Sequence, residues 1–165
     1  MRKGGGAELY KILVTVDGSE HSLKTIQESI KRAEPINAEV TLLHVAENFS
    51  PNEYIRATKF YGYEKAYNGE EKFRDSFEVV EKVIEDNANN ILEEAAQAFT
   101  GKSLKVKKIW KKGRPADVIC SEAEKGAFDL VIIGNKGFGA FGSYFMGSVA
   151  NETIHCLKNR VLVIK

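Results

Sequence analysis

Between Phe128 and Val149 an apolar run, Leu130 to Ile133, ends at Gly134; a glycine-dotted loop follows, and Gly147-Ser148 opens an amphipathic stretch. Glycine lets backbone approach a bulky ligand and adopt positive φ. A helix start offers unpaired N–H groups and the positive end of the helix dipole. Strand, glycine loop and helix start together make a device for holding phosphate. A second apolar run, Ile12 to Val16, ends at Asp17. A carboxylate there can accept hydrogen bonds from an amino group or a ribose hydroxyl, or help hold Mg²⁺. It can equally cap the helix that follows.

Three phosphate patterns compete for the glycine segment. A Walker A loop needs a lysine before its Ser/Thr, and Gly142-Ser143 lacks it. Gly137-x-Gly139-x-x-Gly142 has dinucleotide spacing, but that fingerprint wants an acidic residue about 20 positions on, where this chain has Val161–Lys165. The third pattern is Gly134-x-x-Gly137, nine residues, then Gly147-Ser148. It resembles the ATP-binding signature of the universal stress protein family without insertion or deletion. Tyr10–Ser19 is similar to that family's first strand and terminal aspartate, Val40–Val45 to its second strand, and Gly113–Ile119 to the start of its third helix. The resemblance runs roughly from Tyr10 to Ile164.

The resemblance implies ATP, with or without Mg²⁺, as ligand. It assigns the phosphates to Gly134, Gly137, Gly147, the Ser148 hydroxyl and the Val149 N–H, with Ile133 alongside. It places Thr15, Val16 and Asp17 along the pocket and gives Val45 backbone the adenine edge. Each has a plainer role: core packing for Val16, helix capping for Ser148 and Asp17, a flexible surface loop for the glycines. Lys136 reads as a solvated loop lysine. His21, His44 and His155 are scattered over three elements, so no metal site and no catalytic triad are expected.

The elements that must position these residues alternate. Strands are expected at Ile12–Val16, Glu39–Val45, Leu104–Trp110, Leu130–Ile133 and Val161–Ile164. Helices are expected at Ser19–Ala33, with Leu23, Ile26, Ile30 and Ala33 inward, and at Gly69–Phe99, striped by Phe73, Phe77, Val80, Ile84, Ala88, Ile91, Ala95 and Phe99. Two more begin at Pro115, stopping at Gly126, and at Ser148–Leu157. Alternation predicts an α/β fold: an open, doubly wound, five-stranded parallel sheet with helices on both faces. The resemblance implies strand order 3-2-1-4-5. Ligands on such sheets sit beyond the carboxyl strand ends where the order reverses, here between Asp17 and Gly134.

With 165 residues, 43% hydrophobic and 28% charged, one domain over 1–165 is expected, its residues 1–8 disordered. A net charge of +1 argues against general attraction to nucleic acid or membrane. The cluster Lys102, Lys105, Lys107, Lys108, Lys111, Lys112 and Arg114 reads as a solvated strand and turn, with Lys111, Lys112 or Arg114 as candidates to add potential near a polyphosphate. Met1–Gly6 lacks the apolar region of a signal peptide, no stretch approaches a membrane span, and a cytoplasmic location is expected. Cys120 and Cys156, in different helices, read as reduced thiols. Tyr54, Tyr61, Tyr63 and Tyr67 crowd 48–68, a short helix on the sheet edge or else a lid or partner surface.

Val161–Ile164 is an apolar run expected at the sheet edge, where pairing with a second copy would close it. The resemblance implies such a homodimer. Asn159-Arg160 replaces the Cys-Pro or similar pair usual in the family at that point, which bears on dimer tightness. The functional expectation is a nucleotide-dependent regulatory protein of the stress response. Its alternatives are a nucleotide-independent interaction module and a slow ATPase, autophosphorylating at Ser148. A phospho-acceptor receiver domain needs an acid on strand three, and Lys105–Trp110 has none.

Overall fold

The computed structural model describes residues 9–48, 70–135 and 146–165, and within 70–77 the backbone alone. Ile12, Leu13 and Val14 are completely buried, which places their strand at the centre of the sheet. That strand, β1 (Lys11–Thr15), pairs in parallel with β2 (Glu39–Ala46) on one side and β4 (Leu130–Gly134) on the other. Beyond them lie β3 (Val106–Lys112) and β5 (Arg160–Ile164), so the order is 3-2-1-4-5 and every pairing is parallel. The sheet order is therefore the one expected.

Alternate residues of a strand face opposite sides, and the helices divide accordingly. Ile12, Val14, Val40, Leu42 and Ile132 meet Ile26 and Ala33 of α1 (Glu20–Ala33), Leu92 and Ala95 of α2 (Glu70–Gln97), and Phe99 beyond it. Leu13, Leu43, Val131 and Ile133 meet Ile119 and Ala123 of α3 (Pro115–Lys125) and Ala150 of α4 (Ser148–Cys156). Truncating any of these fully buried aliphatics to alanine would cost about 2–5 kcal/mol. Both faces are covered, as a continuous apolar strand requires.

Three details depart from the pattern in the sequence. In α1 the inward set is Ser22, Thr25, Ile26, Ser29 and Ala33, while Leu23 is 59% exposed. Small hydroxyl residues let the helix lie close to the sheet because their own helix satisfies them: Ser29 Oγ donates to the Ile26 carbonyl (2.6 Å) and Thr25 Oγ1 to that of His21 (3.4 Å). Strand β3 lies two residues later than the apolar run suggests, because β2 pairs with it from Val40↔Val106 to Ala46↔Lys112. An edge strand tolerates terminal lysines, whose stems pack while their charges stay wet.

The basic cluster is largely exposed, as expected, and most of it is also ion-paired. Lys102 pairs with Glu34, Lys105 and Lys107 with Glu39, Lys108 with Glu93, and Lys112 with Glu81. The cysteines also differ from expectation. Helices α3 and α4 share one face of the sheet and pack side by side. This brings Cys120 and Cys156 to a Cα–Cα distance of 6.3 Å, where they form a disulfide across 36 residues of sequence. Sequence spacing is silent about such a pairing. The tyrosine-rich stretch, residues 1–8, and the side chains of Phe73 and Phe77 lie outside the described residues.

Candidate functional site

The carboxyl end of β1 is held by its neighbour. Val16 N–H donates to the Leu43 carbonyl (2.9 Å), and the Val16 carbonyl accepts from His44 Nδ1 (2.9 Å) in a buried contact. That acceptor puts the proton of the imidazole on Nδ1. The chain then turns at Gly18, whose φ of +81° is a conformation few L-residues adopt. A Cβ added there would stand 3.0 Å from the Ile91 side chain of α2, a tight contact on top of the strained angle.

Asp17 braces this turn. Its Oδ1 accepts from Ser19 N–H (3.0 Å), from Ser19 Oγ (2.7 Å) and from Ser22 Oγ, while Asp17 N–H donates to Ser22 Oγ (3.0 Å). Ser19 stands at the cap position of α1 but makes no side-chain cap bond, because its hydroxyl is spent on Asp17. Three donors on one oxygen make Oδ1 a structural acceptor.

Register brings Val14 beside Ile132, so the half-buried Thr15 and the buried Val16 run out next to the end of β4. Ile133 is a core residue, buried on the α3–α4 side. Gly134 ends β4, and Asn135 then makes two backbone bonds. Its N–H donates to the Ile164 carbonyl (2.6 Å) and its carbonyl accepts from Gly147 N–H (2.8 Å). The start of α4 is therefore hung from the tip of β4. Asn135 itself is 6% exposed, and its buried Oδ1 has no hydrogen-bond partner among the described residues.

Gly147, not Ser148, occupies the cap position of α4, with φ −61° and ψ 149° and no side-chain cap bond. Asn151 N–H makes the first helical bond, to the Gly147 carbonyl (3.0 Å). Helix geometry leaves the N–H groups of Ser148, Val149 and Ala150 without an intrahelical acceptor. Ser148 is exposed and Val149 packs partly into the core below. An uncapped helix start at the end of a parallel strand carries roughly half a positive charge toward the crevice. It is chemically suited to an anion.

Of the charged groups that are candidates to add potential near the phosphate, Arg114 and Lys112 are ion-paired. Arg114 Nη2 donates to Glu152 Oε2 (2.5 Å) and Nη1 reaches Asp117 Oδ1 (3.4 Å), while Lys112 is held by Glu81. Lys111 is exposed and lies in register with Val45, which is half-buried near the end of β2. Gly137 and Lys136 lie outside the described residues. Thr15, Val16, Asp17, Gly134, Gly147, Ser148 and Val149 thus gather at the β1–β4 end of the sheet, with Val45 one strand away. Sequence reasoning missed Asn135 and Ser22. The buried polar position inside the glycine motif and the hydroxyl five residues after Asp17 were the available signals. Among the described residues no group of three or more His, Cys, Asp or Glu could hold a metal ion, and no helix is long and apolar enough to cross a membrane.

Residues 9–165 match the universal stress protein family. A universal stress protein of Methanocaldococcus jannaschii, MJ0531, is 27% identical, over 97% of this chain and 85% of its own length. The structure of universal stress protein UspA from Lactobacillus plantarum superposes with a TM-score of 0.74 at 20% identity, covering 97% of this chain and all of that one (100%). A universal stress protein family structure from Arabidopsis thaliana with AMP bound superposes with a TM-score of 0.62 at 19% identity, covering 94% of this chain and 91% of that one. Similar structures in complex with cAMP and with dAMP give TM-scores of 0.56 and 0.60, at 18% and 14% identity.

Proposed function

Because this chain belongs to the universal stress protein family, we propose that it binds ATP in the crevice between the ends of β1 and β4 and acts as a nucleotide-dependent regulatory homodimer in the cytoplasm. One observation carries the reading. The start of α4 has no side-chain cap and hangs, through Gly147 N–H, on the carbonyl of Asn135 at the point where strand order reverses. Phosphates lie toward Gly134, Gly137 and the N–H groups of Ser148 and Val149; the base lies toward Val45. The neighbours that hold AMP, cAMP and dAMP support the adenine part. The triphosphate part rests on the Gly-x2-Gly-x9-Gly-Ser pattern.

Binding fits these residues better than fast turnover. Asp17 Oδ1 is committed to Ser19 and Ser22, and Arg114 to Glu152 and Asp117. Rapid hydrolysis calls for a group that orients water and a cation that meets the γ-phosphate. A bound Mg²⁺ is held chiefly by phosphate and water in this reading.

Thermal unfolding with and without Mg-ATP tests it. Ligand at about a hundred times its dissociation constant adds roughly 2.7 kcal/mol, or roughly 5–10 °C for a domain of this size. In Gly147→Val the cap backbone angles remain accessible to valine; the rise with ATP should vanish while the unliganded unfolding temperature holds. Protein stripped of co-purified nucleotide that shows no rise with ATP, ADP, AMP or cAMP refutes the site.

A further inference from the structure

The chain's two cysteines meet across α3 and α4, and the ring they close, from Cys120 to Cys156, contains β4, the glycine loop and all of α4. Their Cα–Cα distance of 6.3 Å lies inside the range that a disulfide spans without moving backbone. The two residues differ in exposure. Cys156, the last residue of α4, is exposed, whereas Cys120, in the middle of α3, is half-buried. A pair with one approachable thiol and one sheltered partner is built for exchange in two steps.

We propose that Cys120–Cys156 is a redox modification site, opened and closed by thiol–disulfide exchange with a low-molecular-weight disulfide. In closing, the Cys156 thiolate attacks one sulfur of the small disulfide and displaces a thiolate. The Cys120 thiolate then attacks the Cys156 sulfur of the mixed disulfide and expels the second small thiol. Two protein thiols are oxidised to one disulfide, and one small disulfide is reduced to two thiols. The closed form staples the C-terminal end of α4 to α3, while its N-terminal end already hangs on Asn135 through Gly147. Reduction frees one end of that helix and leaves the sheet untouched. The inference does not depend on which ligand, if any, the crevice takes.

The test uses the full-length protein in glutathione buffers ranging from fully reduced to fully oxidised, quenched with acid, alkylated with a maleimide and weighed intact. Both thiols should disappear together at one midpoint, with no glutathione retained, and return when the buffer is reversed. Closing a ring of this size should raise the unfolding temperature by about 5–10 °C, a rise absent in Cys120→Ser and in Cys156→Ser. Cys120→Ser should instead retain one glutathione on Cys156. Thiols that titrate separately as glutathione adducts overturn the proposal. So do thiols that stay alkylatable in the most oxidising buffer, or a bond that opens only when the protein unfolds.

Discussion

The sheet has two edges, and they are built on opposite principles. At β3, lysines in and beside the strand are ion-paired back to the neighbouring strand β2 and to helix α2. Lys105 and Lys107 reach Glu39 on one face, while Lys108 and Lys112 reach Glu93 and Glu81 of α2 on the other. At β5 the residues are Val161, Leu162, Val163 and Ile164, all half-buried, with charge only at Arg160 and Lys165. An exposed strand edge is a template for pairing, and lysine is a common means of blunting it. Among the described residues one edge strand is rich in lysine and the other is apolar. The proposed dimer would use the apolar edge at β5, whose composition differs from that of β3 in this way.

Placing a lysine on the apolar edge should have the largest effect. Val163→Lys puts a cation on the strand, and a two-fold axis would bring it near its own copy. An unpaired charge at such a contact costs several kcal/mol, so dimerisation should weaken by on the order of a hundredfold or more. Sedimentation equilibrium measures this directly. A wild-type protein that is monomeric at micromolar concentration would break the comparison, leaving β5 a bare edge and the regulatory reading without its dimer.

A second test sharpens the other side. The β3 edge stops at Gly113, whose N–H donates to the Ala46 carbonyl (3.0 Å) and whose φ is +148°. A Cβ there would come within 2.8 Å of Val118 Cγ2 at the start of α3. Gly113→Ala should therefore lower stability by about 2–3 kcal/mol through strain and contact, seen as a fall in the denaturation midpoint with unchanged slope. An unaffected midpoint would mean that the edge ends in a loose turn instead of a fixed stop.

The same contrast explains what could be read in the sequence. Central strands announce themselves, because burial on both faces demands continuous apolar residues such as Ile12–Val14 and Val131–Ile133. The sheet's order and both helical layers followed from them and from the family resemblance. Edge strand β3 was misplaced by two residues because its limits are set by the length of β2, not by its own composition. The inward face of α1 was misread because Ser22, Thr25 and Ser29 look polar in a list of residues, yet each hydroxyl has a partner within its own helix or turn. At the site, Gly134 and Gly147 declared themselves by spacing. The brace on Asp17, the role of Asn135 and the meeting of Cys120 with Cys156 depend on contacts between elements that no local pattern encodes.

The smallest expected effect lies in the charge pairs of the β3 edge itself. Glu39 has a side chain 10% exposed, beneath lysines that are 62% and 54% exposed. Hydrogen bonds from Lys105, then from Lys107, hold its carboxyl at about 2, below the ordinary 4.5. A carboxylate whose folded value is depressed contributes stability above the unfolded value and loses it as pH falls toward the folded one. Stability from Glu39 should therefore be complete above about pH 5 and fade between about 4.5 and 2. Solvent around the lysine heads screens the pair, so the contribution should be about 1 kcal/mol or less, and smaller still in high salt. Glu39→Gln keeps the shape, removes that share of the pH dependence and leaves two lysines facing a neutral amide. Chemical denaturation at pH 7 and pH 3 compares the two proteins. If the difference between them is the same at both pH values, Glu39 acts through packing, and the β3 edge is blunted by its lysines alone.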